Sequence, residues 1–226
     1  MNVEGSRLDP WVDSYATRAK NLSASAIRAL FAVASRPEVV SLAGGMPYVQ
    51  ALSMDDMADI AAQVVRDRGP QALQYGSGQG DVALREQILD VTAEVGVQAH
   101  PDDIVVTTGS QMALDLVTRT FCDPGDVVLV ESPSYVGALG VFRSYECDVI
   151  HVAMDDDGLI PEALQEAIDT ARAMGKSVKL IYTIPSFHNP AGVTQPAHRR
   201  AQILEIAQRA GIAVLEDDPY GLLGFE

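Results

Sequence analysis

The chain has 226 residues, enough for one large domain or two small ones around a substantial core. With 47% hydrophobic and 21% charged residues the composition is globular, and no apolar run reaches membrane-helix length; even residues 26–34 are interrupted by Arg28. The net charge of −15 repels nucleic acid and anionic membrane surfaces, so any anion must be bound by local amides and a helix terminus.

The first residues, MNVEGSRLDPW, hold no hydrophobic segment that reads as a secretory signal. Cys122 and Cys147 fit neither a disulfide framework nor a metal-ligand spacing, so a soluble cytoplasmic protein is expected. Residues 14–35 read as a helix, with Ala19, Leu22, Ala26, Ala29, Leu30 and Val33 on one stripe. A short strand over 39–43 leads into Gly44-Gly45. Residues 54–68 read as a helix ended by Gly69-Pro70, and QYGSGQGD over 74–81 as a loop. Asp81 is placed to cap a helix over 82–95.

From residue 103 apolar runs alternate with amphipathic segments. Strands are expected at 104–108, 127–130, 149–153, 178–183 and 212–215. Helices are expected at 111–121, 136–145, 161–174 and 196–210. This alternation predicts an α/β fold with a mainly parallel sheet covered on both faces. Ligands in such sheets gather at the carboxyl ends of the strands.

Those ends carry the informative residues. Thr108-Gly109-Ser110-Gln111 runs straight into a helix, which suits a phosphate or a plain N-cap. Glu131-Ser132-Pro133-Ser134-Tyr135 ends in an aromatic that either stacks on a planar ligand or caps the core. In the loop 184–192, Asn189 is held extended before Pro190, and His188 reads as a solvated loop histidine. Glu216, Asp217 and Asp218 follow the last strand, with Asp217 on the opposite side from the other two. They read as solvated capping acids, as a Mg²⁺ site of Glu216 and Asp218, or as Asp217 facing a cationic ring nitrogen.

In order, SLAGGMP (41–47), LQYGSGQG (73–80), TTGSQMALDL (107–116), ESPSY (131–135), IPSFHNPAG (184–192) and EDDPY (216–220) resemble fold-type-I, pyridoxal-phosphate-dependent aminotransferases of class I/II. The likeness is to the branch with 2-aminoadipate and kynurenine aminotransferases and related regulator domains, and it extends from about residue 25 onward. It implies a three-layer α/β/α large domain over 51–226, preceded by a helix and arm over 1–50 that supply small-domain and dimer contacts. Pyridoxal 5′-phosphate is the implied cofactor, with no metal. By resemblance Ser110 and Gln111 hold its phosphate, Tyr135 stacks on the ring, and Asp217 pairs with the ring nitrogen. Asn189 and Tyr220 meet the 3′-oxygen, Tyr75 reaches the partner's site in a homodimer, and Gly45 and Asn189 lie against substrate.

The likeness implies amino-group transfer from an L-amino acid to a 2-oxo acid. The family's Schiff-base lysine lies beyond the Asp-x-x-Tyr motif, and none of Lys20, Lys176 and Lys179 matches its context. The chain is therefore expected to be the N-terminal half of the fold, with no complete catalytic set and no turnover by itself. The Asn-Pro-Thr-Gly of the family reads Asn189-Pro190-Ala191-Gly192, and YVQALS follows Pro47 in place of the usual Phe-Pro. The short stretch before the likeness, with the acidic charge, speaks against a winged-helix regulator. Two other readings stand beside the enzyme: a non-catalytic domain sensing pyridoxal phosphate or an amino acid, and an α/β metal-dependent hydrolase. The bonds before Pro133 and Pro190 are expected to be cis.

Overall fold

The computed structural model describes residues 10–21, 36, 38–40 and 47–225. Contacts divide the chain into two units, Met1–Ser25 with Ala113–Glu226, and Ala26–Met112. In the second unit, helix α1 (Met54–Ala72) starts at Ser53, whose side chain accepts from the Asp56 N–H. Gly69-Pro70 does not end this helix as expected. It kinks the helix at Arg68 (φ −131°, ψ 15°), because proline offers no N–H to the turn before it. Helix α2 (Val82–Ala93) is capped by Asp81, which accepts from Leu84 N–H and pairs with Arg68 at 3.1 Å.

The segment 104–108 is a correction. It has the β-branched pattern of a strand, yet no described strand pairs with it, and the Val106 N–H bonds to Gln79 O. The close passage of the two segments needs Gly80 (φ +102°), where a Cβ would collide with Val106. Of the expected helix over 14–35, residues Val12–Ser14 and Thr17–Asn21 are short 3₁₀ turns, and 22–35 lie outside the described residues, as does most of the strand at 39–43.

Helix α3 (Ser110–Phe121) passes from the second unit into the first. The first unit then builds β1 (Val127–Ser132), α4 (Val136–Ser144), β2 (Asp148–Asp155), β3 (Gly158–Leu159), α5 (Pro161–Ala173), β4 (Val178–Thr183), α6 (Ala197–Ala210) and β5 (Ala213–Glu216). Sheet order is β3-β2-β1-β4-β5, parallel throughout except for the β2–β3 pair. The chain moves from β1 to β2 in one direction, then to β4 on the other side of β1, so the order reverses between β1 and β4.

Strand alternation makes the layers. Val127, Leu129 and Ile181 pack with Leu164, Ile168 and Ala171 of α5 and Ile203, Ile206 and Ala207 of α6. Their neighbours Val128, Val130, Leu180 and Tyr182 face Leu114 of α3 and Ala138, Val141 and Phe142 of α4. Helices on opposite faces for opposite directions of travel are what uniform crossover handedness requires. The result is an α/β/α sandwich in which each fully buried Leu, Ile or Phe contributes roughly 1.5–3 kcal/mol. Phe142 and Tyr182 meet edge to face with ring centres 5.5 Å apart.

Candidate active site

The strand order reverses between β1 and β4, the place at which an open α/β sheet takes its ligand outside the carboxyl ends of the strands, and β5 lies next to β4. Leu215 packs against the α3–α4 side and Val214 against the α5–α6 side. By the same alternation Asp217 falls on the α3–α4 side, with Glu216 and Asp218 on the other. Asp217 Oδ2 accepts from the Tyr182 hydroxyl at 2.7 Å, and its N–H donates to Thr183 O. Burial, then this bond to Asp217, holds the Tyr182 phenol far above its ordinary range, so the hydroxyl is a permanent donor.

Tyr135 is half-buried against the same core cluster as Tyr182, directly before α4. Its ring lies over Gly137, where a Cβ would overlap the ring, so glycine there is required by close approach. Ser134 Oγ, one residue earlier, is buried and meets no hydrogen-bond partner among the described residues. The peptides Ser132–Pro133 and Asn189–Pro190 are both cis, as expected from the sequence.

On the α5–α6 side lies a second polar group, which the sequence motifs do not single out. Glu131 is fully buried at the end of β1 and accepts from Thr183 Oγ1, Ile184 N and Gln195 Nε2, each at 2.8 Å. His188, read from the sequence as a solvated loop residue, is only 2% exposed, with Nε2 3.1 Å from Glu131 Oε2. The buried acceptor draws the ring inward because a carboxylate in the core needs every available donor. Glutamate at a strand end was the only sequence signal for this cluster.

Other expected residues are more dispersed. Asn189 and Tyr220 are half-buried in the segments after β4 and β5. Ser110 and Gln111 form the exposed first turn of α3, after Gly109 at φ +76°, and belong to the other unit, as does the fully exposed Tyr75. Gly45 lies outside the described residues. The hydrolase reading finds no support: Asp218 Oδ1 caps the turn Gly221–Leu223 by accepting from Gly221 N. Burial, opposed by nearby Arg200, raises the Glu216 carboxyl above its usual range. Among the described residues no group of three or more His, Cys, Asp or Glu is arranged to hold a metal ion.

Lys176 pairs with Asp148, and Lys179 with Asp126 at 3.6 Å. Both ion pairs lie at the amino ends of the strands, opposite Asp217. The Lys20 side chain is outside the described residues.

The family profile for aminotransferase class I and II matches residues 17–226. The chain is 38% identical over 212 residues to aromatic-amino-acid aminotransferase 1 of Thermococcus litoralis, covering 93% of this chain and 51% of that protein. It is 36% identical to the 2-aminoadipate transaminase of Thermus thermophilus, covering 95% of this chain and 52% of the other. A crystal structure of the Pyrococcus horikoshii kynurenine aminotransferase, in complex with PMP, superposes with a TM-score of 0.85 at 37% identity, covering 95% of this chain and 53% of that one. The chain thus spans about half the length of the curated relatives it matches. A parallel sheet with Asp217 and Tyr135 at its carboxyl edge, read with these likenesses, makes the chain a member of the class I and II aminotransferases.

Proposed function

We propose that this chain binds pyridoxal 5′-phosphate at the carboxyl edge of the sheet and supplies the ring-holding half of an aminotransferase site. The observation that carries the reading is Asp217, held through Oδ2 by Tyr182 at the end of β5 on the same side as Tyr135. A carboxylate fixed by one donor, with its second oxygen left for another, fits a protonated ring nitrogen. When bound, the cofactor supplies an electron sink for amino-group transfer from an L-amino acid to a 2-oxo acid. Tyr135 offers a flat face to the ring. On this proposal Asn189 and Tyr220 serve the 3′-oxygen, Ser110 and Gln111 serve the phosphate with the first turn of α3, and Asn189 serves the substrate; Gly45, assigned to the substrate as well, lies outside the described residues.

The same reading takes 51–226 as the cofactor-binding large domain and 1–50 as the arm. It takes the working assembly as a homodimer in which Tyr75 reaches the partner's site. It also takes the protein as cytoplasmic, in keeping with Cys122 and Cys147 being free thiols. Neither Lys176 nor Lys179 stands at the site, so no described lysine can bond the cofactor or move the proton at the substrate's Cα. We therefore propose that this chain alone binds the cofactor without turning over, which is also how a sensing domain of the family would behave.

The test is a titration with pyridoxal phosphate followed by an assay of amine transfer to 2-oxoglutarate. Saturable binding without transfer is expected. Failure to bind overturns the cofactor assignment, and turnover at enzyme-like rates overturns the assignment of an incomplete catalytic set.

A further inference from the structure

The loop that carries Asn189 is fixed by one buried carboxylate on the opposite face of the sheet from Asp217. Glu131 takes Thr183 Oγ1 and Ile184 N at the start of the loop and Gln195 Nε2 at its end. His188 Nε2 lies 3.1 Å from Glu131 Oε2 in the middle. His188 also ties the tip: its Nδ1 accepts from Ala191 N, its N–H donates to Val193 O, and its carbonyl accepts from Gly192 N. With Nδ1 accepting, the ring proton sits on Nε2 beside the carboxylate. That donor is buried but not aligned for a hydrogen bond, so the group is poised rather than saturated.

Two further features show that the arrangement is over-determined. Phe187 has φ +49°, a conformation that a non-glycine residue keeps only where its surroundings enforce it. Gly158, at the β2–β3 turn, lies where a Cβ would strike Gln195 Cγ, so the β-turn glycine makes room for the amide that reaches Glu131. Glu131 also leads directly into Ser132–Tyr135, so one residue sets both the loop with Asn189 and the segment with Tyr135.

We infer that Glu131 and His188 are positioning residues that hold Asn189 in register with Tyr135, and that Gln195 and Gly158 complete the device. The inference rests on the cofactor reading for its functional consequence, but its structural part is testable without cofactor. The experiment measures backbone amide exchange across 184–195 and affinity for pyridoxal phosphate in the wild type, His188→Leu, His188→Gln and Gly158→Ala. In His188→Leu the amides of Ala191 and Gly192 should exchange at least about tenfold faster, while those of Leu129 and Ile181 keep wild-type protection. Affinity should fall about tenfold in step. His188→Gln, whose amide keeps an acceptor for Ala191 N and a donor on the side of Glu131, should recover most of both, and Gly158→Ala should loosen the loop from its far end.

Unchanged exchange in His188→Leu and Gly158→Ala would overturn the inference. So would equal loss of protection in β1 and β4, which marks a core role only. A loosened loop with undiminished affinity overturns positioning and leaves the cofactor reading intact. A loop loosened by His188→Leu, where the wild type itself binds no cofactor, upholds the device and overturns the cofactor reading.

Discussion

Asp217 is held by the Tyr182 hydroxyl, and a substitution at Tyr182 isolates that contribution. Tyr182→Phe removes one hydrogen bond to a charged acceptor, about 1.5 kcal/mol, and should weaken pyridoxal-phosphate binding about tenfold in a fluorescence titration. Burial, with a weaker contribution from the neighbouring Cys122, lifts the Cys147 thiol to about 12, and burial also raises Cys122. A thiol reagent at pH 8 should label neither cysteine in the folded protein and both after denaturation; rapid labelling in the native state would show that the β1–α4 side opens. Asp217 was legible from strand parity and motif. Tyr182, Glu131 and Gln195 were not, because their significance arises from contacts across 35, 52 and 64 residues that no local pattern records.

Among the elements, Arg199 joins α6 to the β2–β3 turn through both oxygens of Asp155 and through Leu159 O. The hydrogen bonds from Arg199 hold the Asp155 carboxyl below its ordinary 3.8. A depressed carboxylate contributes stability that is fully present above the unfolded value and is lost as pH falls through the folded one. Arg199→Met should therefore lower the thermal midpoint at pH 7 and lose less of it than the wild type on acidification below about pH 4. Ile168, fully buried between α5 and the sheet, should cost about 2–5 kcal/mol as Ile168→Ala in urea unfolding. The β/α rhythm from 127 onward was legible because buried parallel strands are continuous apolar runs and their helices are amphipathic. The two-residue β3 was too short to show a period. The segment 104–108 carried the right pattern but a strand also needs a neighbour, and the kinked end of α1 shows that Gly-Pro marks a break in hydrogen bonding rather than a stop.

At the scale of the whole molecule, the net charge of −15 works against an anionic cofactor, so affinity must come from fixed local groups and not from long-range attraction. Salt should then change pyridoxal-phosphate binding little between 50 and 300 mM, by roughly less than threefold. Helix α1 leaves Met57, Ile60, Val64 and Val65 exposed, and Tyr75, after that helix, is fully exposed. Such apolar exposure accords with the proposed homodimer. Light scattering should give twice the single-chain mass; a monomer at micromolar concentration would contradict it.

The most direct measurement titrates pyridoxal phosphate into the wild-type chain and Asp217→Ala, with thermal midpoints recorded for both. The predicted result is saturable binding in the wild type, on the order of 100-fold weaker in Asp217→Ala, with the fold of each intact. Equal binding in the two proteins, or none in either, would contradict a cofactor site built on Asp217.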